Sequence, residues 1–160
     1  MRGFAVYPFP FGFVKIEYAG ETVIGLKRTE VSESGGRTNA LTDLVYEQIM
    51  EYMQGKRKSF DFPHELHGTE FQKRVWSELC RIPYGETRTY KEIASAVGNP
   101  NASRAVGMAN HANPIAIAVP CHRVIGTDGS LTGYGGGLDM KEALLSLEKT
   151  GGMQLHEKWK

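Results

Sequence analysis

Around Phe62-Pro63-His64 the hydrophobic pattern of this 160-residue chain changes period, from the alternation of strands to the spacing of short helices. A domain boundary is placed there. Upstream, residues 4–7, 12–18 and 22–27 are short, aromatic and β-branched, with Pro8-Phe9-Pro10 and Ala19-Gly20-Glu21 as turn material between them. They predict a small antiparallel meander. After a polar loop at 32–36, Leu41, Leu44, Val45, Ile49 and Met53 fall at helical spacing and Gly55 is placed to end the helix, which is expected to cover one face of the sheet. Lys56-Arg57-Lys58 follows that helix and reads as a solvated cap favoured by the helix dipole rather than a nucleic-acid cluster.

Downstream, Thr69 and Gln72 have capping-box spacing, as do Thr89 and Glu92, so two short helices are expected to open at these points. The first has the apolar face Phe71, Val75, Trp76 and Leu79 and ends near Cys80, read as a small hydrophobe. The second is stopped by Gly98, and Asn99-Pro100-Asn101 turns the chain into a third helix over 102–110, giving a helix-turn-helix candidate. Its surface is unusual. Ala102, Ser103, Ala105, Gly107 and Ala109 are small, and Arg104 is the one long basic side chain among them. A major-groove reader carries several long polar side chains. Small residues suit either close approach to a narrow groove or close helix packing, and the pattern alone leaves both open. Residues 122–132 read as a hairpin wing around Thr127-Asp128-Gly129. The final helix is expected from Asp139, capped against Glu142, with Glu148 in phase with Leu144 and Leu147. A carboxylate on that face needs a partner, and His122 is the natural candidate.

The apolar run 115–119 is read as extended and closed by Pro120, which sets Cys121 at a rigid point beside His122. A thiol becomes a nucleophile when a base takes its proton, and histidine suits that task near neutral pH. Cys-His adjacency alone is weak evidence, since a lone cysteine beside an apolar run is more often inert core packing. Two cysteines are too few for a disulfide framework and lack the spacing of a zinc site, so a reducing intracellular compartment and no metal are expected. The balance of 19 basic and 18 acidic residues gives no global field, so any nucleic-acid contact must be local. No apolar run approaches a membrane span.

Five separated features occur together in order: Thr89-Tyr90 before Ile93-Ala94, Ser103-Arg104-Ala105-Val106-Gly107, Asn113-Pro114, Pro120-Cys121-His122-Arg123-Val124, and Tyr134 with Gly136-Gly137. Over residues 69–151 the chain resembles the O6-alkylguanine-DNA alkyltransferase family, also called methylated-DNA–protein-cysteine methyltransferases. Over residues 1–63 the likeness is only of type, a small α/β domain without a cysteine cluster for zinc. The resemblance implies an α+β protein, with domain 1–63, a winged helix-turn-helix domain at 64–152 carrying the cysteine, and a tail at 153–160. It implies that Cys121 accepts the alkyl group, His122 acts as base through a water, Glu148 orients the imidazole, and Asn113 holds the active-site turn.

The same resemblance implies that the helix of Arg104, Ala105 and Gly107 lies in the minor groove of duplex DNA, with Arg104 in the place of a flipped guanosine. Tyr90 would donate to guanine N3 and help turn the backbone. The carbonyls of Cys121 and Val124 would accept from the guanine amino group, and Tyr134 with the amide of Gly135 would line the pocket near O6. Arg123 joins the DNA-binding set. No cofactor, no membrane, a monomer, and a cytoplasmic location (nuclear in a eukaryote) complete the expectation. The thioether so formed cannot be hydrolysed, so each molecule acts once. The competing readings are a non-catalytic sensor of alkylated DNA, a cysteine hydrolase with turnover, and a DNA-binding regulator with an inert Cys121.

Overall fold

The computed structural model describes residues 1–30, 36–153, 155 and 157–159; most of the polar loop predicted at 32–36, and positions 154, 156 and 160 of the predicted tail, lie outside the described residues. Strands β1 (Arg2–Phe9), β2 (Gly12–Ala19) and β3 (Thr22–Thr29) form the predicted meander, antiparallel in the order β1-β2-β3. Alternation does the sorting. Ala5, Tyr7 and Phe9 of β1 and Val14 and Ile16 of β2 point into the core, while Pro8 faces out on the edge strand, where its missing N–H does no harm.

Helix α1 (Ala40–Met53) packs Val45, Ile49, Tyr52 and Met53 inward. Its N-terminus is held by a reciprocal pair, Asn39 accepting from the Thr42 amide and Thr42 accepting from the Asn39 amide. Leu44, expected in the buried stripe, is 40 % exposed. The buried face runs through 42, 45, 48, 49, 52 and 53, and position 44 falls on its flank.

The helical unit comprises α2 (Glu70–Leu79), β4 (Arg88–Thr89), α3 (Tyr90–Ala96), α4 (Ser103–His111), β5 (Val124–Ile125) and α5 (Leu138–Thr150). Both predicted capping boxes form, Thr69 with Gln72 and Thr89 with Glu92. Trp76 of α2 donates its indole N–H to the Ala109 carbonyl at 2.8 Å, tying α2 to α4. Cys80 caps the C-terminus of α2 as an exposed residue and not as core, and the chain returns to the core at Ile82.

Three expectations in this half are corrected. The run 115–119 is apolar because it is buried and not because it is extended: only Ile115 bridges to Leu26, and the rest is a tight turn in which Ile117 has φ 71°. Residues 122–132 form no hairpin. Val124–Ile125 pairs instead with Arg88–Thr89 in a two-stranded parallel ladder, and the Gly126 amide closes the following loop on the Ser130 carbonyl at 2.8 Å. Helix α5 begins at Leu138 without a side-chain cap, since the capping position falls on Gly137 and not on Asp139, which lies inside the first turn and bonds Arg28 at 2.8 Å.

One apolar core runs through both halves. The outer edge of β3 is covered by two single bridges, Val23 to His64 and Leu26 to Ile115, so no long edge is left unpaired along it. Among the described residues no helix is long and apolar enough to cross a membrane.

Candidate active site

Cys121 opens a single 3₁₀ turn, Cys121–Arg123, directly after the tight turn at 115–119. Asn113 latches that turn from outside. Its amide Nδ2 donates to the Val119 carbonyl at 2.8 Å, its Oδ1 accepts from the Ile115 amide at 3.0 Å, and the Val119 amide closes on the Ile115 carbonyl at 3.0 Å. A β-branched residue at φ 71° is strained, and a turn held at both ends keeps Ile117 there. Cys121 is thereby fixed, 4 % exposed, at a cavity of about 260 Å³ that Asn113, Tyr134, Gly135, Ala116 and Met140 also line. The wall opposite comes from Leu26, Lys27 and Arg28 of β3. Arg28 further ties the sheet to the glycine run, donating to the Gly136 carbonyl at 2.8 Å and the Phe11 carbonyl at 2.7 Å.

Beneath the thiol lies a buried charge cluster centred on Glu148 of α5. Its Oε2 accepts from His122 Nε2 at 2.7 Å, Arg123 Nη2 at 2.9 Å and the Tyr52 hydroxyl at 2.5 Å, and its Oε1 accepts from Arg123 Nε at 2.7 Å and the Gly85 amide at 3.1 Å. The partnership of Glu148 with His122 is as the helix phase predicted. Burial by itself would raise the Glu148 pKa, but the hydrogen bonds from His122 and Arg123 outweigh it and hold the carboxyl well below the usual range. For His122 burial dominates in the other direction: it lowers the pKa against the pull of Glu148. The imidazole is therefore neutral at pH 7. With Nε2 donating to the carboxylate, Nδ1 carries the lone pair, and Nδ1 is buried without a protein partner among the described residues. That is the protonation pattern of a base. Cys121, pushed up to about 11 by burial although Asn113 and Lys141 act to lower it, rests as a thiol that needs one.

Arg123 is corrected. Expected at the DNA face, it is 7 % exposed, with Nε and Nη2 on Glu148 and Nη1 on the Ile82 carbonyl at 2.7 Å, so its whole fork is spent inside the protein. Arg104 and Ala105, by contrast, are exposed on α4, and Gly107 is half-buried beside Tyr90. Arg104, Gly107, Tyr90, Lys91 and Thr132 line a groove of about 770 Å³, and His111 borders both this groove and the Cys121 cavity. The Tyr90 hydroxyl donates to the Thr132 carbonyl at 2.9 Å. The Tyr134 hydroxyl is buried and makes no hydrogen bond among the described residues. A Cβ on Gly135 would meet the His111 carbonyl at 3.5 Å, ordinary contact, so a serine would fit there.

Sequence reasoning missed Tyr52, Lys141 and Asn110. Lys141 is fully buried, donates to the carbonyls of Val124 at 2.6 Å and Thr132 at 2.9 Å, and is lowered to about 8 by burial. Asn110 donates to the Cys121 carbonyl at 3.2 Å. Of the two carbonyls expected to receive a guanine amino group, that of Val124 accepts from Lys141, and that of Cys121 accepts from both Asn110 and the Val124 amide, so a guanine amino group at Cys121 would have to displace or share with one of them. Lys141 was legible by the argument used for Glu148, since 141, 144 and 148 share one helical face. Tyr52 likewise shares a face with Val45 and Ile49, and a buried hydroxyl needs a partner.

The family model for "6-O-methylguanine DNA methyltransferase, DNA binding domain" matches residues 70–150. The chain belongs to this family. Among family members, the methylated-DNA–protein-cysteine methyltransferase of Methanosarcina acetivorans is 57 % identical over 124 residues, 78 % of this chain and 80 % of that protein. The protein of the same name from Mycobacterium bovis is 48 % identical over 146 residues, 88 % of each chain. The crystal structure of Mycobacterium tuberculosis OGT in complex with DNA superposes with a TM-score of 0.86 at 44 % identity, covering 94 % of this chain and 95 % of that one. Its likeness extends over the N-terminal meander as well as the methyltransferase domain, so the whole α/β arrangement is shared. Among the described residues no three His, Cys, Asp or Glu side chains gather as metal ligands.

Proposed function

We propose that this chain is a DNA repair protein that draws O6-alkylguanine out of duplex DNA and transfers the alkyl group to its own Cys121, once per molecule. The observation that carries the reading is a buried thiol at the cavity, next in the chain to a buried imidazole whose Nε2 is held by a carboxylate and whose Nδ1 has no partner among the described residues. The thiol proton passes through a water to His122. The S–C bond forms as the C–O6 bond breaks, and the departing guanine takes the electron pair, its charge met at N3 by the Tyr90 hydroxyl, which turns from the Thr132 carbonyl and leaves that acceptor to Lys141. Glu148 holds the imidazole in the right tautomer and stabilises its charged form. A thioether gives water nothing to attack, so the cycle ends there.

Residues 1–63 form the small α/β domain, which supplies a wall of the cavity and the Tyr52 hydroxyl; residues 64–152 carry the DNA face and the reacting cysteine, with 153–160 as the tail. Helices α3 and α4 act as the helix-turn-helix, the loop after Ile125 stands in the place of the wing, and α4 lies in the minor groove with Arg104 filling the space of the extruded base. Tyr134 and the Gly135 amide bound the pocket at O6. The protein acts as a monomer in the compartment that holds DNA, the cytoplasm of a prokaryote or the nucleus of a eukaryote.

The test is the intact mass after incubation with a duplex containing O6-methylguanine. The expected gain is one methyl group on the peptide bearing Cys121, saturating at one per molecule and absent from Cys121→Ala. Continued release of demethylated DNA by substoichiometric protein would instead support a hydrolase. The pH profile follows from His122. Since its folded-state pKa is lowered, the imidazole stays a free base as pH falls through the ordinary histidine value of about 6.5, and the acid limb of the transfer rate is expected below that. Single-turnover rates between pH 5 and 8 check this, and a limb centred above the ordinary value would contradict the neutral-base assignment.

A further inference from the structure

We propose that Met108 is a DNA-positioning residue whose side chain enters the minor groove beside Arg104 and wedges against a nearby base step. This rests on the repair reading above. Met108 is 74 % exposed, far beyond Leu44 and Leu138, in a helix whose other surface side chains are mostly small. Packing does not need it there. The inward face of α4 is carried by Val106, Ala109 and Asn110. Met108 lines the same groove as Arg104, four residues earlier on the same helical face, with Lys91 beside them and no acidic residue among the lining side chains. A basic groove containing one long apolar side chain matches the surface of a polyanion whose interior is apolar base stacks.

The spacing agrees. Four residues of helix rise about 6 Å, and successive bases are about 3.4 Å apart along a strand, so a helix lying along the groove sets Met108 about two base steps from the position Arg104 enters. Proteins of the minor groove use methionine among such wedges. Its unbranched, polarizable chain adapts to an irregular gap. The roles assigned above leave Arg104 alone to hold the stack open; Met108 supplies a second contact with the stack about two steps along the groove.

Single-turnover methyl transfer, followed against the concentration of an O6-methylguanine duplex, tests this on the full chain with Met108→Ala, Met108→Leu and Met108→Gln. Loss of the buried apolar contact is expected to raise the half-saturating duplex concentration about tenfold in Met108→Ala and Met108→Gln, while Met108→Leu stays within about twofold of wild type. Fluorescence anisotropy on an undamaged duplex should rank the variants in the same order. Alanine and glutamine are good helix formers at an exposed site, so the fold is preserved. Affinity within about twofold of wild type in Met108→Ala or Met108→Gln, or equal losses in all three variants, would overturn the proposal. A wild-type chain that takes up no methyl group refutes the repair reading instead, and the anisotropy series then still decides whether Met108 touches DNA.

Discussion

Glu148→Ala is expected to abolish measurable alkyl transfer and to remove about 3–5 kcal/mol of folding stability, the cost of breaking a buried ion pair by deleting one partner. The carboxylate is the common acceptor for His122, Arg123, Tyr52 and the Gly85 amide. Without it the Arg123 guanidinium stays buried with only the Ile82 carbonyl, and His122 loses the bond that sets its tautomer. Glu148→Gln keeps the volume but not the charge, and should fall between. Because its folded-state pKa is depressed, Glu148 contributes stability that is fully present above the ordinary carboxylate value and is lost as pH falls through the folded one. The gap between wild type and Glu148→Ala should therefore be widest at neutral pH and narrow in acid. Urea melts at pH 7 and at pH 4, with transfer rates taken well below the melting region, measure both effects; coincident melting midpoints at pH 7 would disprove the central role given to this carboxylate.

Asn113→Ala should slow transfer about a hundredfold, the scale on which a shift of about 1 Å at a reacting atom is felt. Two hydrogen bonds disappear, one to the Val119 carbonyl and one from the Ile115 amide, and with them the clamp that keeps Ile117 in a left-handed conformation. The turn then relaxes and carries Cys121 with it. The same substitution removes a hydrogen bond that favours the thiolate, so the thiol becomes still harder to ionise. The stability loss should be smaller than for Glu148→Ala, about 1–3 kcal/mol for two partly buried hydrogen bonds partly repaid by relief of strain. A rate within a few-fold of wild type would show that the turn holds its shape from the Leu26 bridge and apolar packing alone. Asn113→Asp is an informative companion. It keeps the acceptor for Ile115 but loses the amide donor, both to Val119 and to the thiol, and it should fail for want of that donor only.

The two substitutions probe parts of the site that were unequally visible in the sequence. Glu148 could be placed from its helical phase alone, because an acidic residue aligned with Leu144 and Leu147 has to be buried, and a buried carboxylate has to be paired. The turn around Ile117 could not. A run of five apolar residues closed by proline looks the same whether it is a strand or a buried loop, and the choice lies in how the Asn113 side chain and the Ile115 carbonyl take up the Val119 and Ile115 backbone groups, which the residue types alone do not declare. Arg123 shows the same limit from the other side. Next to a candidate nucleophile, a basic residue looks like a phosphate ligand until α5 and the Ile82 carbonyl are seen to occupy its fork.

What the sequence determined by itself is therefore the set of elements whose causes lie within about one helical turn or one strand: the meander, written in alternation; α2 and α3, each written in a reciprocal cap of Thr with Gln or Glu; and the small-residue surface of α4. The adjacent pair Cys121-His122 and the buried phase of Glu148 belong to the same set. Tertiary structure alone decided that Val124–Ile125 pairs in parallel with Arg88–Thr89, that Tyr52 donates to the Glu148 carboxylate, that Arg28 pins the Gly136 carbonyl, and that Arg123 turns inward. The physical reason is one of range. A cap or an alternating strand is stabilised by neighbours three or four positions off and leaves its record in them, whereas a buried hydrogen bond is settled by whichever distant group arrives when the core closes.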